Sequence, residues 1–243
     1  MECSKCQSQN PTKATYCGKC GNILVNSVES QDYNRNVKKI SVFFFVLLAY
    51  IATINFIELN GNYIQTLLID FIFAAIILVF YFIDTKSINK LIKFNKPKRL
   101  LLIKIIIFAP LFAILVSLIA GFLNQSIFDK SQITYYEQFI DSPAPIFFSI
   151  LSIGLFPAIF EEIAFRGIVF NELTKITSIK STIIISAILF TILHLSLLST
   201  LWIFPIGLIF GYFRAKYRSL WYGIIGHFIY NSSIVLIEII MYK

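Results

Sequence analysis

The stretch "LLLIKIIIFAPLFAILVSLIAGFL" spans residues 100–123 and contains one charged residue, Lys104. At 1.5 Å per residue a helix of this length measures about 36 Å, enough to cross a hydrocarbon core of about 30 Å. Similar apolar runs occur at residues 40–57, 64–83, 146–160, 182–198, 199–213 and 219–241. The sequence therefore predicts an all-α polytopic membrane protein with about seven transmembrane helices.

Composition supports this class of protein. The chain has 243 residues, of which 57% are hydrophobic and 14% are charged. Soluble domains carry about a quarter charged residues. The first apolar run follows 39 mostly polar residues, so we expect no cleaved signal peptide. The net charge of +8 lies in segments between apolar runs, so it predicts membrane topology and no nucleic-acid partner.

The basic residues alternate between the loops. They cluster in residues 35–39, 86–104, 175–180 and 214–218, whereas the loops at 58–63, 124–145 and 196–200 carry only Lys130. The positive-inside rule then places the N-terminus in the cytoplasm, and seven crossings place the C-terminus outside. Residues 181–213 are uncharged, and we expect two short helices there, sheltered in the bundle or partly re-entrant.

All four cysteines lie near the N-terminus in two C-x-x-C pairs, at Cys3, Cys6, Cys17 and Cys20. Such pairs clamp a tetrahedral Zn²⁺, and a reducing cytoplasm disfavours the alternative of disulfides. Because the protein supplies all four ligands, this zinc is expected to be structural. We expect a zinc ribbon at 1–22, a polar linker at 23–39, helices and loops at 40–142 and a catalytic helical core at 143–243. The sequence names no partner for the ribbon.

Charged residues interrupt the apolar stretch "FPAIFEEIAFRG", residues 156–167. Such residues are costly inside a membrane and usually mark a functional interior. Glu162 and Arg166 are four residues apart on one helix face and are expected to pair. Glu161 is rotated by about 100° from Glu162, so we expect it to stay unpaired and chemically free.

The chain's two histidines both lie inside apolar runs, at His194 and His227. His227 and Asn231 share one helix face, and helix lengths permit Glu161 and both histidines to meet at one depth. Each residue also has a structural interpretation, since intramembrane histidine and asparagine often hydrogen-bond between helices. Asp70 and Glu238 lie in no motif, and we interpret them as structural.

Three motifs resemble those of the CPBP family, the CAAX-protease and bacteriocin-processing intramembrane proteases also called the Abi family. They are "EEIAFRG" at 161–167, "FTILH" at 190–194 and "HFIYN" at 227–231. The Gly207-x-x-x-Gly211 spacing and the "SLW" before the last helix also resemble sequences of this family. The resemblance covers residues 143–235 and implies an intramembrane endopeptidase.

The resemblance also implies a role for each motif residue. Glu161 would be the general base that activates water, with His194 holding that water. His227 and Asn231 would donate to the oxyanion. The remaining pair, Glu162 and Arg166, would shape the site and orient substrate. Glu161 and the histidines could instead ligate Zn²⁺, but the chain lacks H-E-x-x-H, which favours a metal-independent mechanism.

Three functions remain open at this point. The first is a glutamate-dependent endopeptidase acting on a peptide precursor or a membrane-associated substrate, such as a secreted signalling peptide or bacteriocin precursor. The second is a non-catalytic membrane protein that binds a peptide in the same cavity and confers bacteriocin immunity or regulates export. The third is a small proton-coupled transporter, which the absence of an evident internal repeat disfavours.

Overall fold

The computed structural model describes residues 1–11, 17–22, 27–56, 62–93, 98–128 and 135–242. Within these ranges the chain is helical apart from an N-terminal segment with one antiparallel bridge, between Glu2 and Gln9. The described helices are α1 Ser27–Asn55, α2 Tyr63–Ile83, α3 Thr85–Ile92, α4 Arg99–Phe128, α5 Pro145–Leu173, α6 Ile179–Ile192, α7 Thr200–Tyr217 and α8 Trp221–Tyr242. A short 3₁₀ helix, Tyr135–Phe139, precedes α5.

Among the described helices, five are long and apolar enough to cross a membrane, over Asp32–Asn55, Tyr63–Ile83, Arg99–Ser126, Pro145–Leu173 and Trp221–Met241. The helix α6 has 14 residues. Its length of about 21 Å is less than a hydrocarbon core. The helix α7 has 18 residues and carries Arg214 and Lys216 in its last turn. The chain is therefore a multi-pass helical membrane protein, and residues 181–213 form two short helices as expected.

Two helix boundaries differ from the sequence-based expectation. Helix α1 begins at Ser27, so most of the expected linker 23–39 belongs to the first helix. No glycine or proline interrupts residues 27–39, so nothing in the chain stops the helix there. Helix α6 ends at Ile192, although the apolar run continues to residue 198, and Leu195 adopts a φ of 47°. His194 therefore lies in a turn after the helix.

One end of the bundle gathers the basic residues, and we call it the basic end. The α4 and α8 N-termini meet there, because Lys98 N–H donates to the Tyr222 hydroxyl at 2.8 Å. The α7 C-terminus joins α5, because Arg214 Nη2 donates to Asn171 Oδ1 at 2.7 Å. Lys39 Nζ of α1 lies 3.9 Å from Glu172 Oε1 near the C-terminus of α5. The basic clusters of all these helices therefore share one end.

Two long-range hydrogen bonds mark the opposite end of the bundle, which we call the cavity end. Tyr136 N–H donates to Glu238 Oε2 near the C-terminus of α8, at 3.1 Å. Thr66 Oγ1 near the start of α2 lies 3.5 Å from Gln138 Oε1. Between residues 135–152, 193–206 and 230–242, where the structure describes this end, there is no lysine or arginine.

Glycine allows α6 and α7 to pack closely. A Cβ added at Gly207 would lie 3.0 Å from Ala187 Cβ and 3.2 Å from its Cα. A Cβ at Gly211 would lie 3.2 Å from Ile183 Cγ2. Because the Ala187 neighbours are a Cα and a Cβ atom, they cannot rotate away. The two short helices therefore form a tight pair through glycine.

We expect Gly207→Val to separate α6 from α7 and to lower the free energy of unfolding by about 1–3 kcal/mol, the cost of overpacking. Thermal unfolding of the purified protein in lipid nanodiscs measures this change. Ile209→Val is the matched control, because Ile209 is half exposed on the same helix. Its effect should stay within about 0.5 kcal/mol. Equal stability of both variants would contradict the close packing.

Candidate active site

Helix α5 contains two π-helical segments, at Ile150–Leu155 and Glu162–Val169. Such segments are rare and occur frequently at functional sites. The second begins directly after Glu161, so the glutamate pair lies where the helical repeat changes. The angular spacing of an ideal α-helix therefore does not continue beyond this point.

Glu162 and Arg166 form the expected ion pair, with Arg166 Nη1 2.8 Å from Glu162 Oε1. The contact angles fall outside hydrogen-bond geometry, so the interaction is mainly Coulombic. Both side chains are enclosed, at 0% and 1% exposure. Arg166 Nη2 also donates to the Gly207 carbonyl at 3.2 Å, and its guanidinium lies 4.3 Å from the Phe190 ring centre. The pair is therefore held between α5, α6 and α7.

Gly223 of α8 makes room for this ion pair. A Cβ at position 223 would collide with the Glu162 carboxylate. The sequence offered no sign of this requirement, because the glycine lies outside all three motifs. Its role depends on the approach of α8 to α5 and is visible only in three dimensions.

His227 lies between the two glutamates. Its Nε2 is 3.8 Å from Glu161 Oε2, and its Nδ1 is 3.6 Å from Glu162 Oε1. The expectation that Glu161 points away from Glu162 therefore needs refinement, since both carboxylates face one imidazole from opposite sides. The Glu161 side chain remains 19% exposed, whereas Glu162 is fully enclosed. Only Glu161 is thus open to a ligand.

His194 is fixed by its own turn. Its Nδ1 lies 2.9 Å from the Phe190 carbonyl oxygen. Because that oxygen only accepts, we assign the proton to Nδ1, which leaves a lone pair on Nε2 of the neutral ring. The His194 ring centre is 4.9 Å from that of Phe190.

Asn231 lies one turn beyond His227 on α8. Its Nδ2 donates to the Ile153 carbonyl at 2.9 Å, within the first π-helical segment of α5. An amide nitrogen carries two hydrogens, so one N–H remains for another acceptor. The bond fixes the orientation of the carboxamide.

These side chains share one cavity of about 450 Å³. Its lining includes Glu161, His194, His227 and Asn231. The structure therefore brings together the four residues that the sequence proposed as catalytic. The enclosed pair Glu162 and Arg166 is absent from the lining. This separation divides the six candidates into a group facing the cavity and a group packed behind it.

The cavity also contains two carboxylates that the sequence-based interpretation left aside as structural, Asp70 and Glu238. Ser152 donates a hydroxyl hydrogen bond to Asp70. Glu238 is seven residues from Asn231, which places both on one face of α8. That spacing was an available signal for Glu238. Asp70 lies on α2, far from every motif, and no signal in the sequence links it to the site.

A metal does not fit this cavity in its present geometry. Among the described residues, the four cysteines are the one group of three or more metal-ligand residues whose donor atoms lie within 4.8 Å of one another. The carboxylate and imidazole donors around Glu161 form no such group. We therefore derive no chemical step through a metal there.

The cysteines do fit a tetrahedral metal. The Sγ atoms of Cys3 and Cys20 are 3.6 Å apart, as are those of Cys6 and Cys17. Tetrahedral Zn–S bonds of about 2.3 Å require sulfur atoms about 3.8 Å apart. All four thiols are free. The donor set and spacing therefore match a closed four-thiolate site.

The two C-x-x-C pairs fold in the same way. Cys3 N–H donates to the Ser8 carbonyl, and Cys17 N–H donates to the Asn22 carbonyl, each five residues on. The residues four positions after Cys3 and Cys17 are Gln7 and Gly21, with φ of 57° and 67°. Glycine takes this left-handed conformation in the second pair, and glutamine takes it in the first.

The close packing of this segment shifts the pKa values of its thiols. The Ser8 hydroxyl beside Cys17 lowers the pKa of that thiol to about 5. The Asn22 backbone lowers the pKa of Cys20, but the neighbouring Cys6 and burial outweigh it and raise that pKa to about 12. Four thiolates this close repel one another, and a cation among them would relieve the repulsion.

We expect Glu162→Gln to lower the free energy of unfolding by about 3–5 kcal/mol, because it leaves the buried Arg166 charge unpaired. Thermal unfolding in nanodiscs measures the loss. Adding Arg166→Gln should restore part of it by removing the isolated charge. The control is Asp32→Asn, since Asp32 pairs with Arg35 at 2.9 Å while 54% exposed. Its effect should be within about 1 kcal/mol. A double variant less stable than the single one would contradict this account.

Comparisons with known proteins match the part of the chain that contains this site. Residues 143–233 match the family model described as "Type II CAAX prenyl endopeptidase Rce1-like". A Bacillus subtilis (strain 168) protein named "Putative membrane peptidase YdiL" is 31% identical over 81 residues, which make up 33% of each chain. The match thus spans a third of that relative's length. No solved structure gives a significant match. All three motifs lie within residues 143–233, the part of the chain that is similar to this family.

Proposed function

We propose that the chain is an intramembrane endopeptidase that hydrolyses a peptide bond with water activated by Glu161. The observation that carries this proposal is the convergence of one partly exposed carboxylate, two imidazoles and a carboxamide in a single cavity. Peptide hydrolysis requires a base for water and donors for the developing oxyanion. The Rce1-like match over the same residues supports this reaction class.

Glu161 and His194 would act on the water molecule. The Glu161 side chain lines the cavity and is 19% exposed, so its carboxylate can accept a proton from water there. The Nδ1 proton of His194 is held by the Phe190 carbonyl, so Nε2 of the neutral ring can accept a second hydrogen bond from water. Together these two acceptors would orient water for attack on the scissile carbonyl.

Asn231 and His227 would stabilise the oxyanion. The free N–H of Asn231 is preoriented by the bond from its Nδ2 to Ile153. His227 is held between two carboxylates and two aromatic rings, 6.1 Å from the Phe190 ring centre and 5.8 Å from that of Phe210. The loss of one oxyanion donor typically costs about 10²–10³ in rate. Glu162 and Arg166 would support this arrangement from behind.

We also propose that the N-terminus lies in the cytoplasm and that the substrate enters from the other side. The basic end contains the clusters that the positive-inside rule retains in the cytoplasm. Asp70, Ser152 and Glu238 line the cavity near the opposite end. A secreted peptide precursor or the outer part of a membrane protein would reach the cavity from there. The prenylated substrate in the matched family's name remains a property of that family.

The N-terminal cysteines would bind Zn²⁺ as a structural ion remote from the chemistry, because all four positions are filled by protein. We expect one zinc per purified chain by elemental analysis, and loss of that zinc in Cys17→Ser, because a thiolate ligand is removed. Ser4→Ala is the control, since it keeps all four thiols. Retained zinc in Cys17→Ser would contradict the assignment.

The proposal predicts that Glu161→Gln and His194→Ala each lower peptide hydrolysis by about 10²–10⁴-fold, the usual contribution of acid–base groups. Wild type and variants would be reconstituted at equal protein content and incubated with a library of internally quenched peptides. Glu137→Gln is the control, because Glu137 is an exposed carboxylate at the cavity end outside the lining. Full activity in both site variants would reject the protease function and favour the peptide-binding immunity or regulatory function.

A further inference from the structure

The cavity contains an arrangement that hydrolysis of the peptide bond does not use. Glu238 is 6% exposed and belongs to the cavity lining. Its Oε2 accepts from Tyr136 N–H at 3.1 Å, and the Tyr135 backbone also interacts with the carboxylate, but Oε1 accepts no hydrogen bond of good geometry among the described residues. A buried carboxylate oxygen without a partner carries a substantial desolvation cost. Glu238 therefore retains capacity for a cationic donor.

The surroundings of Glu238 suit a cation. The cavity lining contains the carboxylates Asp70, Glu161 and Glu238, and among described residues it contains no lysine or arginine. The aromatic side chains Tyr135, Tyr230 and Trp202 also line it. Carboxylates combined with aromatic faces are the groups that bind ammonium and guanidinium. A substrate carboxylate would instead meet like charge.

The position of Glu238 relative to the reacting groups can be read from α8. Asn231 and Glu238 are seven residues apart, which is two helical turns or about 10 Å along one face. An extended peptide advances about 3.3 Å per residue. A peptide bond held at Asn231 therefore places a side chain about three residues away beside Glu238.

We propose that Glu238 forms a substrate subsite for a positively charged group of the peptide, located about three residues from the scissile bond. The group is a lysine or arginine side chain, or the ammonium of the peptide N-terminus. This inference rests on the proposed function, because it places a peptide in the same cavity. It adds a preference for positively charged substrates, which the three motifs do not specify.

The test uses the full chain in nanodiscs and quenched alanine–leucine peptides of about nine residues, long enough to cross the cavity. A single lysine is moved along the peptide, and norleucine replaces it in matched peptides that lack the charge. Acetylated and free N-termini separate the ammonium from the side chain. Two quantities are measured, namely kcat/KM for wild type and the dissociation constant for the Glu161→Gln protein.

We expect lysine at one position, about three residues from the cleaved bond, to raise kcat/KM roughly tenfold or more over norleucine, as a charge-assisted hydrogen bond allows. Glu238→Gln should reduce this advantage to roughly twofold or less, mainly through KM. Its amide oxygen can still accept from Tyr136, so the fold contact is kept. Glu137→Gln, which changes an exposed carboxylate at the same end, should keep the advantage.

The two proposals fail in different ways. Cleavage without preference for lysine, or a preference that persists in Glu238→Gln, overturns the subsite and leaves hydrolysis standing. If wild type cuts no peptide while the Glu161→Gln protein binds lysine peptides more tightly than norleucine peptides through Glu238, the subsite stands and hydrolysis fails. Absence of both cleavage and charge-dependent binding overturns both. The comparison of lysine and norleucine peptides uses the wild-type protein, so it does not depend on whether any variant folds.

Discussion

The cost of burying charge in a membrane governs the arrangement around Glu162 and Arg166. Insertion of an isolated arginine or acidic side chain at the centre of a spanning helix costs about 2.5–3.5 kcal/mol on biological scales. Here Arg166 pairs with Glu162 and donates to the Gly207 carbonyl of α7. The Glu162 carboxylate rests against Gly223 of α8. One ion pair therefore holds three helices in place around α5.

The same arrangement gives the two adjacent glutamates different properties. Glu162 is enclosed by Arg166, His227 and the backbone at Gly223, so it has no access to a ligand. Glu161 faces the cavity and keeps an oxygen without a partner. His227 contacts both carboxylates at 3.6–3.8 Å and so couples the enclosed pair to the open site. In the proposed function, Glu161 would carry out the chemistry and Glu162 would give structural support, although the two side chains are chemically identical.

Charge is also segregated along the bundle. Lysine and arginine collect at the basic end, where α1, α4, α5 and α7 meet through polar contacts. Carboxylates line the cavity toward the opposite end, where Glu238 is fixed by the backbone of the 3₁₀ segment before α5. This separation gives the cavity a negative character, and it is the basis of the membrane orientation proposed above. Both properties bear on which peptides would reach Glu161 and from which side.

The sequence by itself determined the helical membrane class, the seven apolar segments and the Glu162–Arg166 pairing, because hydropathy and four-residue spacing are local properties. It also proposed Glu161, His194, His227 and Asn231, since polar residues in apolar runs are conspicuous. Only the tertiary structure placed these four in one cavity, ended α6 before His194 and added Asp70, Gly223 and Glu238. Those features depend on contacts between helices distant in sequence, which no local pattern encodes.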